Sequence, residues 1–131
     1  MKVYYLAHPI AADDLHTVEE NLEHILVIQD ILRKHNIFAV APYWTYVKMY
    51  GSGRGKPDFS FFIEGDKECV RRMGNIILAG HRISYGMEQE LSALEGLWSA
   101  EIIDLTRLTN KEVDLYLEGT KPNVDNESVH P

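Results

Sequence analysis

The sequence predicts a doubly wound α/β fold, and two features of the chain lead to this prediction. Short apolar runs alternate along the chain with longer stretches whose apolar residues have helical spacing. The short runs are apolar at nearly every position, which is typical of strands in a parallel sheet covered by helices on both faces. We therefore expect a flavodoxin- or Rossmann-like parallel sheet of about four to five strands, flanked by helices.

The first half of the chain contains two predicted strands and the helix that connects them. Thr17 and Glu20 have the spacing of a capping box, which predicts the start of the helix. Pro42 cannot donate a ladder hydrogen bond, so the second strand is expected to stop before it. In chain order, the predicted elements are a strand at 3–7, a helix from 17 to 34–36, a strand at 37–41 and an irregular segment at 43–57.

The second half continues the alternation and then changes in composition. Its predicted elements are a helix at 59–73, a strand at 76–79, a helix at 84–98, a strand at 100–105 and a short helix at 110–117. After residue 117, Gly, Pro, Asn and Asp dominate, and these residues do not build a core. We expect one domain at 1–117 and a C-terminal tail at 118–131.

Composition limits the classes of function. The net charge of −7 argues against a protein that binds a nucleic-acid polymer, because such proteins present a basic face. No apolar run is long enough to predict a membrane span, and the first residues do not resemble a signal peptide. The single cysteine, Cys69, forms no internal disulfide, which fits a reducing cytoplasm. The histidines show no ligand spacing, so we predict no metal and no other cofactor.

The predicted topology places the binding site at three loops. In open parallel sheets, ligands bind beyond the carboxyl ends of the strands, near the point where the strand order reverses. The loops that follow the first three strands are therefore expected to line the site. They contain His8, Pro9 and Ile10, then Pro42, Tyr43 and Trp44, and finally residues 80–86.

Two carboxylates lie on helix faces that are otherwise apolar. On a helical wheel, Asp66 falls among the apolar residues of the helix at 59–73, and Glu90 falls among those of the helix at 84–98. A carboxylate is costly to bury unless it is paired, hydrogen-bonded or protonated. One interpretation is an acid and a nucleophile facing one cleft. The other is that each is a solvated or capped residue at the edge of the core.

Weaker signals surround these carboxylates. Ser84 is a suitable N-cap, and with Gly86 and Arg82 it predicts an anion site at a helix N-terminus, although many such helices bind nothing. Residues 51–56 lack P-loop spacing; they are either a mobile lid or a solvated loop. Three aromatic residues follow the second strand, and we expect them either to stack on a base or to belong to the core: Tyr43, Trp44 and Tyr46.

The chain resembles the nucleoside 2-deoxyribosyltransferase-like superfamily, including its 2′-deoxynucleoside 5′-monophosphate N-glycosidases, from Lys2 to about Leu105. The resemblance depends on residues 3–10, on Ala41-Pro42 and above all on residues 82–90, which read Arg-Ile-Ser-Tyr-Gly-Met-Glu-Gln-Glu. The family motif there is Ser or Asp, Gly two residues later, and the nucleophilic Glu four residues after that. Ser84, Gly86 and Glu90 match it.

The resemblance implies roles for individual residues. Glu90 takes the role of nucleophile, Asp66 that of the catalytic acid, and Tyr5 that of the tyrosine that contacts the nucleophile. Ser84, where nucleoside transferases tend to carry Asp, implies a nucleotide substrate bound through its 5′-phosphate. The chain departs from the family pattern at two places that bear on its substrate and its activity. Gly74-Asn75 replaces an acidic residue, and His8-Pro9-Ile10 replaces a glycine-rich loop.

The expected function is therefore cleavage or transfer of the N-glycosidic bond of a (deoxy)nucleoside 5′-monophosphate through a covalent glycosyl-Glu90 intermediate. The resemblance also implies a homodimer or larger homo-oligomer, in which the tail after Glu118 could complete a neighbouring pocket. Alternatives are cleavage of a ribonucleotide or dinucleotide, a nucleotide-binding module without chemistry, and an interaction domain without a small ligand.

Overall fold

A computed structural model of the protein describes residues 1–52 and 58–120, which form four strands and five helices. In chain order these are β1 (Val3–Ala7), α1 (Val18–Lys34), β2 (Phe38–Val40), α2 (Tyr43–Tyr50), α3 (Phe59–Met73), β3 (Asn75–Leu78), α4 (Tyr85–Ser92), β4 (Glu101–Asp104) and α5 (Asn110–Thr120). Most of the possible lid at 51–56 and of the predicted tail at 118–131 lies outside the described residues.

The four strands form one parallel sheet in the order β2-β1-β3-β4. In register, Tyr5 on β1 lies between Val40 on β2 and Ile76 on β3. The chain moves from β1 to one neighbour and then crosses to the other side, so the order reverses between β1 and β3. This arrangement confirms the predicted doubly wound α/β fold and places a crevice beyond the carboxyl ends of these two strands.

Helices cover the sheet in two groups. Helix α1 packs against β2 and α5, while α3 packs against α4 and lies along β1 and β3. The core between these layers is apolar, and its largest fully buried side chains are Tyr5, Leu6, Leu22, Ile25, Ile28, Leu32, Ile76, Ile77, Met87, Leu105 and Leu117. Both faces of β1 and β3 are buried, which explains why these strands read as continuous apolar runs.

The start of α1 and the end of α3 each have a clear structural basis. Thr17 is the N-cap of α1, with its side chain accepting from the Glu20 N–H and the Glu20 carboxylate accepting from the Thr17 N–H. Helix α3 has the predicted bounds and ends at Gly74, whose φ of 74° is a conformation that glycine adopts without a steric penalty.

The segment after β2 is helical rather than irregular. The prediction of an irregular segment at 43–57 is wrong for residues 43–50, which form α2. Tyr43 and Val47 are buried one helical turn apart, and Tyr46 and Tyr50 follow the same spacing. The helix begins directly after Pro42, a position where proline is well tolerated, and its aromatic composition obscured this periodicity.

Helix α4 is shorter than predicted. It ends at Ser92 rather than at Trp98, and turns follow, with Gly96 at φ 87°. Trp98 is 97% exposed and so does not continue the buried face of α4, whereas Leu94 is buried from within the turns. The edge strand β4 is only half-buried, which differs from the interior strands because one side of an edge strand has no neighbour.

Within 1–52 and 58–120, we find no helix with the length and apolar character needed to cross a membrane.

Candidate active site

A cavity of about 410 Å³ opens at the carboxyl ends of β1 and β3, where the strand order reverses. The loops after these two strands, the start of α4 and the inner faces of α2 and α3 form its walls. Its lining residues include eight predicted from the sequence: His8, Ile10, Tyr43, Asp66, Arg82, Ser84, Gly86 and Glu90. The size of the cavity suits a small organic ligand.

Glu90 is one of two buried acidic groups in this cavity wall. It lies on the second turn of α4 with 5% of its surface exposed, and its Oε2 accepts a hydrogen bond of 2.5 Å from the Tyr5 hydroxyl. Burial raises the pKa of Glu90 to about 8, because the charged form loses water; the bond from Tyr5 opposes this shift, and the nearby Asp66 carboxylate adds to it. Tyr5, on β1, is fully buried.

Asp66 faces the same cavity from α3. It is also 5% exposed, and its Oδ2 accepts a hydrogen bond from the Tyr46 hydroxyl on α2. Burial raises the pKa of Asp66 to about 6, and the bond from Tyr46 partly offsets this effect. Each carboxyl therefore has one tyrosine donor, provided by a different element, and the pair holds about one proton near neutral pH.

The wall beside Asp66 is aromatic. The rings of Tyr46 and Phe62 stack with centroids 4.0 Å apart and an interplanar angle of 12°, and Tyr50 lies 5.8 Å from Phe62. All three line the cavity, so they present apolar ring surface to a ligand. Tyr46 and Phe62 were not among the predicted site residues, although Tyr46 was noted among the aromatics after β2.

The two predicted aromatic binding residues have different positions. Tyr43 lines the cavity, but its hydroxyl is fixed by donating a 2.5 Å hydrogen bond to the Leu6 carbonyl. Trp44 does not line the cavity, because its side chain turns toward α1 and its indole N–H donates to the Leu22 carbonyl at 3.0 Å. The expectation that Trp44 stacks on a base is therefore wrong: consecutive residues of a helix point in different directions.

The start of α4 has the features of an anion site. Ser84 is the N-cap, and its hydroxyl accepts from the Met87 N–H at 3.3 Å. A Cβ built on Gly86 would meet no protein atom closer than Ser84 Oγ at 4.0 Å, so protein packing does not require a glycine there. Gly86 lines the cavity and adds no side chain over the first turn of α4, the part of a helix whose N–H groups have no intrahelical carbonyl partner.

Arg82 lies at the rim of the cavity. Its Nε donates to Asp13 Oδ2 at 2.8 Å, which ties the loop after β3 to the loop after β1. Its side chain is one-third exposed. The guanidinium therefore lies near the N-terminus of α4 and has Asp13 as its carboxylate partner.

Two of the three residues predicted to line the site from the loop after β1 do so. Ile10 and buried His8 line the cavity, whereas Pro9 does not. Pro9 instead packs on Gly80, where an added Cβ would come within 2.5 Å of Pro9 Cδ. Pro9 therefore packs between the loops after β1 and β3. The prediction that Pro9 lines the binding site is wrong. Burial lowers the pKa of His8 to about 4, so its ring is neutral.

A comparison with models of known protein families gave no match, and a comparison with curated proteins gave none either.

The geometry brings together most of the residues singled out from the sequence. Glu90 and Asp66 line one cavity from two different helices, and Tyr5, on β1, does not line the cavity but donates a hydrogen bond to Glu90. Helical spacing places Tyr46 one turn after Tyr43 and Phe62 one turn before Asp66, on faces that carry buried residues, but it does not separate a cavity residue from a core residue.

Proposed function

We propose that the protein cleaves or transfers the N-glycosidic bond of a (deoxy)nucleoside 5′-monophosphate, with Glu90 as nucleophile and Asp66 as general acid. One observation supports the proposal most: two buried carboxyls from different helices, each with its own tyrosine donor, face a single cavity. Burying two carboxyls together is unfavourable for folding. A site that performs acid and nucleophile chemistry on one substrate gives a reason for this arrangement.

The proposed reaction has two displacement steps. In the first, Glu90 attacks the anomeric carbon, the bond from this carbon to the base nitrogen breaks, and the base takes its electron pair together with a proton from Asp66. In the second, water attacks the anomeric carbon, Asp66 accepts the proton of the water, and the Glu90 carboxylate leaves. If a second base attacks instead of water, the result is transfer.

The remaining cavity features support a nucleotide as the ligand. The stacked rings of Tyr46 and Phe62 offer a flat apolar surface that suits a nucleobase. The first turn of α4, with Ser84 and Gly86, offers backbone N–H groups that suit a phosphate. Arg82 adds a positive charge if the phosphate draws it from Asp13. Tyr5 positions Glu90 by its hydrogen bond.

The proposed mechanism depends on which of the two carboxyls, Glu90 or Asp66, carries the proton. The pKa of Glu90, about 8, lies above that of Asp66, about 6, whereas the proposed roles need Glu90 ionised and Asp66 protonated. The two groups are coupled, so the proton belongs to the pair. An electron-poor anomeric carbon beside Glu90 favours its anion, and a basic ring nitrogen beside Asp66 favours a proton there.

The test is release of free base, measured by chromatography, from a panel of deoxy- and ribonucleosides and their 5′-monophosphates, with and without an acceptor base. We expect release from one or more deoxynucleoside monophosphates, and slower release from the matching nucleosides because they lack the phosphate. Preference for a ribonucleotide or a dinucleotide would change the substrate class. If nothing in the panel releases base, the proposal is wrong, and nucleotide binding without turnover would identify a binding module.

We further propose that the protein is a homodimer, as the resemblance implies. Several large apolar side chains are more than half exposed, including Phe61, Trp98 and Ile102, and burial in an interface would remove them from water. We expect light scattering after size-exclusion chromatography to give a mass of two chains at micromolar concentration. A mass of one chain at that concentration would contradict the proposal.

A further inference from the structure

A cluster of three potential metal ligands lies beside the candidate active site. Asp13 and His16 belong to the segment between β1 and α1, and His81 belongs to the loop after β3. The carboxylate oxygen and one ring nitrogen from each histidine lie within 4.8 Å of one another. His81 Nε2 is 2.6 Å from Asp13 Oδ2, and the two histidine rings have centroids 4.4 Å apart. Two imidazoles and a carboxylate are a common ligand set for zinc.

A second observation points to a missing partner at this cluster. His16 Nδ1 is buried, and among residues 1–52 and 58–120 no group forms a hydrogen bond with it. Buried polar atoms are nearly always satisfied, so an unsatisfied one requires an explanation. A bound cation would supply the missing interaction.

The geometry of Asp13 suits a ligand role. Its Oδ1 accepts hydrogen bonds from the N–H groups of Leu15, at 2.9 Å, and His16, at 3.0 Å. These bonds fix the carboxylate and direct its other oxygen, Oδ2, toward His81. Such bonds to the non-ligating oxygen are how proteins orient carboxylate ligands of metals.

The surroundings of the cluster are rich in histidine. A cleft of about 500 Å³ is lined by four of the six histidines in the sequence: His8, His16, His24 and His81. His8 and His24 are already bonded to each other, with 2.7 Å between Nε2 and Nδ1, and His24 Nε2 lies 2.9 Å from Asn110 Oδ1. These two histidines therefore have partners, and among the four histidines that line this cleft only His16 has a buried ring nitrogen without a hydrogen bond.

We propose that Asp13, His16 and His81 bind a divalent transition-metal ion of the zinc type. Small rotations of the three side chains would bring the ligand atoms to about 2.0–2.2 Å from one ion. Three protein ligands leave a fourth position for water or another small ligand. Because the ligands come from the loops after β1 and β3, the ion would cross-link two loops that also form walls of the cavity.

Arg82 would compete with a metal ion for the Asp13 carboxylate. Its Nε donates to Asp13 Oδ2 at 2.8 Å, the same oxygen that faces His81. A divalent ion must therefore share this oxygen with the guanidinium or displace it, and the positive charge nearby weakens binding. It follows that removing the guanidinium should strengthen metal binding, whereas removing a ligand should weaken it.

The experiment measures Zn²⁺ and Co²⁺ binding to the tag-free full chain by competition with a chromophoric chelator. Asp13→Asn, His16→Gln and His81→Asn should each weaken binding by at least about tenfold, and Arg82→Gln should strengthen it. Asp14→Asn and His24→Gln are the matched controls, because they remove a neighbouring carboxylate and a histidine of the same cleft; both should bind like the wild type. Thermal unfolding should show that Zn²⁺ raises the Tm of the wild type.

Three outcomes decide the proposal. Ligand-field bands of bound Co²⁺ that disappear in the Asp13, His16 and His81 variants would support it. Equal binding by the wild type and these three variants would overturn it, since the ion would then lie elsewhere. The absence of measurable binding by the folded wild type would overturn it as well. Base release plays no part in this test, so its result is independent of the proposed enzymatic function.

Discussion

Glu90→Gln is expected to abolish base release, with a loss of at least about a thousandfold in kcat, because the amide oxygen is a far poorer nucleophile than a carboxylate. The substitution preserves size and leaves an acceptor for the Tyr5 hydroxyl, which lies 2.5 Å from Glu90 Oε2. The loss would therefore report on chemistry rather than on packing. Rates are measured by chromatography of the released base at saturating substrate.

Matched variants separate this effect from general disturbance of α4. Glu88→Gln changes an exposed carboxylate on the same helix and should retain the wild-type rate. Acid-quenched wild-type protein should carry a glycosyl adduct on the peptide that contains Glu90, seen by mass spectrometry, and the Gln variant should not. Retention of more than about a tenth of the wild-type rate by Glu90→Gln would rule out the nucleophile role.

Stability provides a second readout for the same substitution. Glu90 has a folded pKa of about 8 against an ordinary value of 4.5, so the folded state binds more protons than the unfolded state between these pH values. Wild-type stability should therefore fall as pH rises through this window, and above it the folded protein holds a buried charge. We expect Glu90→Gln to be more stable than the wild type at about pH 9, by about 2 kcal/mol or more in the free energy of unfolding, with a smaller difference at about pH 5.

The fold could be predicted because its signals are local. Continuous apolar runs mark the interior strands β1 and β3, and the capping box at Thr17 marks the start of α1. Strand order is not encoded locally, but the placement of the ligand site depends only on the reversal that doubly wound sheets share. The predicted end of α4 lies too far along the chain because the apolar spacing continues to Trp98. Only the structure shows that this side chain faces solvent.

The loop residues of the candidate site could be predicted from topology, whereas its two carboxyls could be predicted because each violates a local pattern. Asp66 and Glu90 were identified because they interrupt apolar helix faces, and the structure shows both to be buried. Tyr46 and Phe62 obey their local pattern, so nothing in the sequence distinguishes them from core residues. The cluster of Asp13, His16 and His81 forms through contact between two loops 65 or more residues apart, and spacing along the chain contains no sign of it.

Asp66→Asn is expected to lower kcat/KM by about a hundredfold to ten-thousandfold, because an asparagine cannot donate a proton to the departing base. The size of the loss should depend on the base. A base that carries a positive charge, such as N7-methylguanine, leaves as a neutral molecule without protonation, so the variant should cleave its nucleotide nearly as fast as the wild type. Glu64→Gln, an exposed change two residues earlier on another face of α3, should leave the cleavage of both substrates unaffected.

The pH profile distinguishes a proton donor from a structural residue. The active wild-type site needs one proton on the pair, so kcat/KM should rise as the first proton leaves, near pH 6, and fall as the second leaves, near pH 8. In Asp66→Asn only Glu90 titrates, and it must be ionised. Its pKa should fall because the neighbouring charge is gone, and the residual activity should rise to a plateau without the alkaline decline. A decline retained in this variant, or an equal loss for charged and neutral bases, would show that Asp66 does not donate the proton.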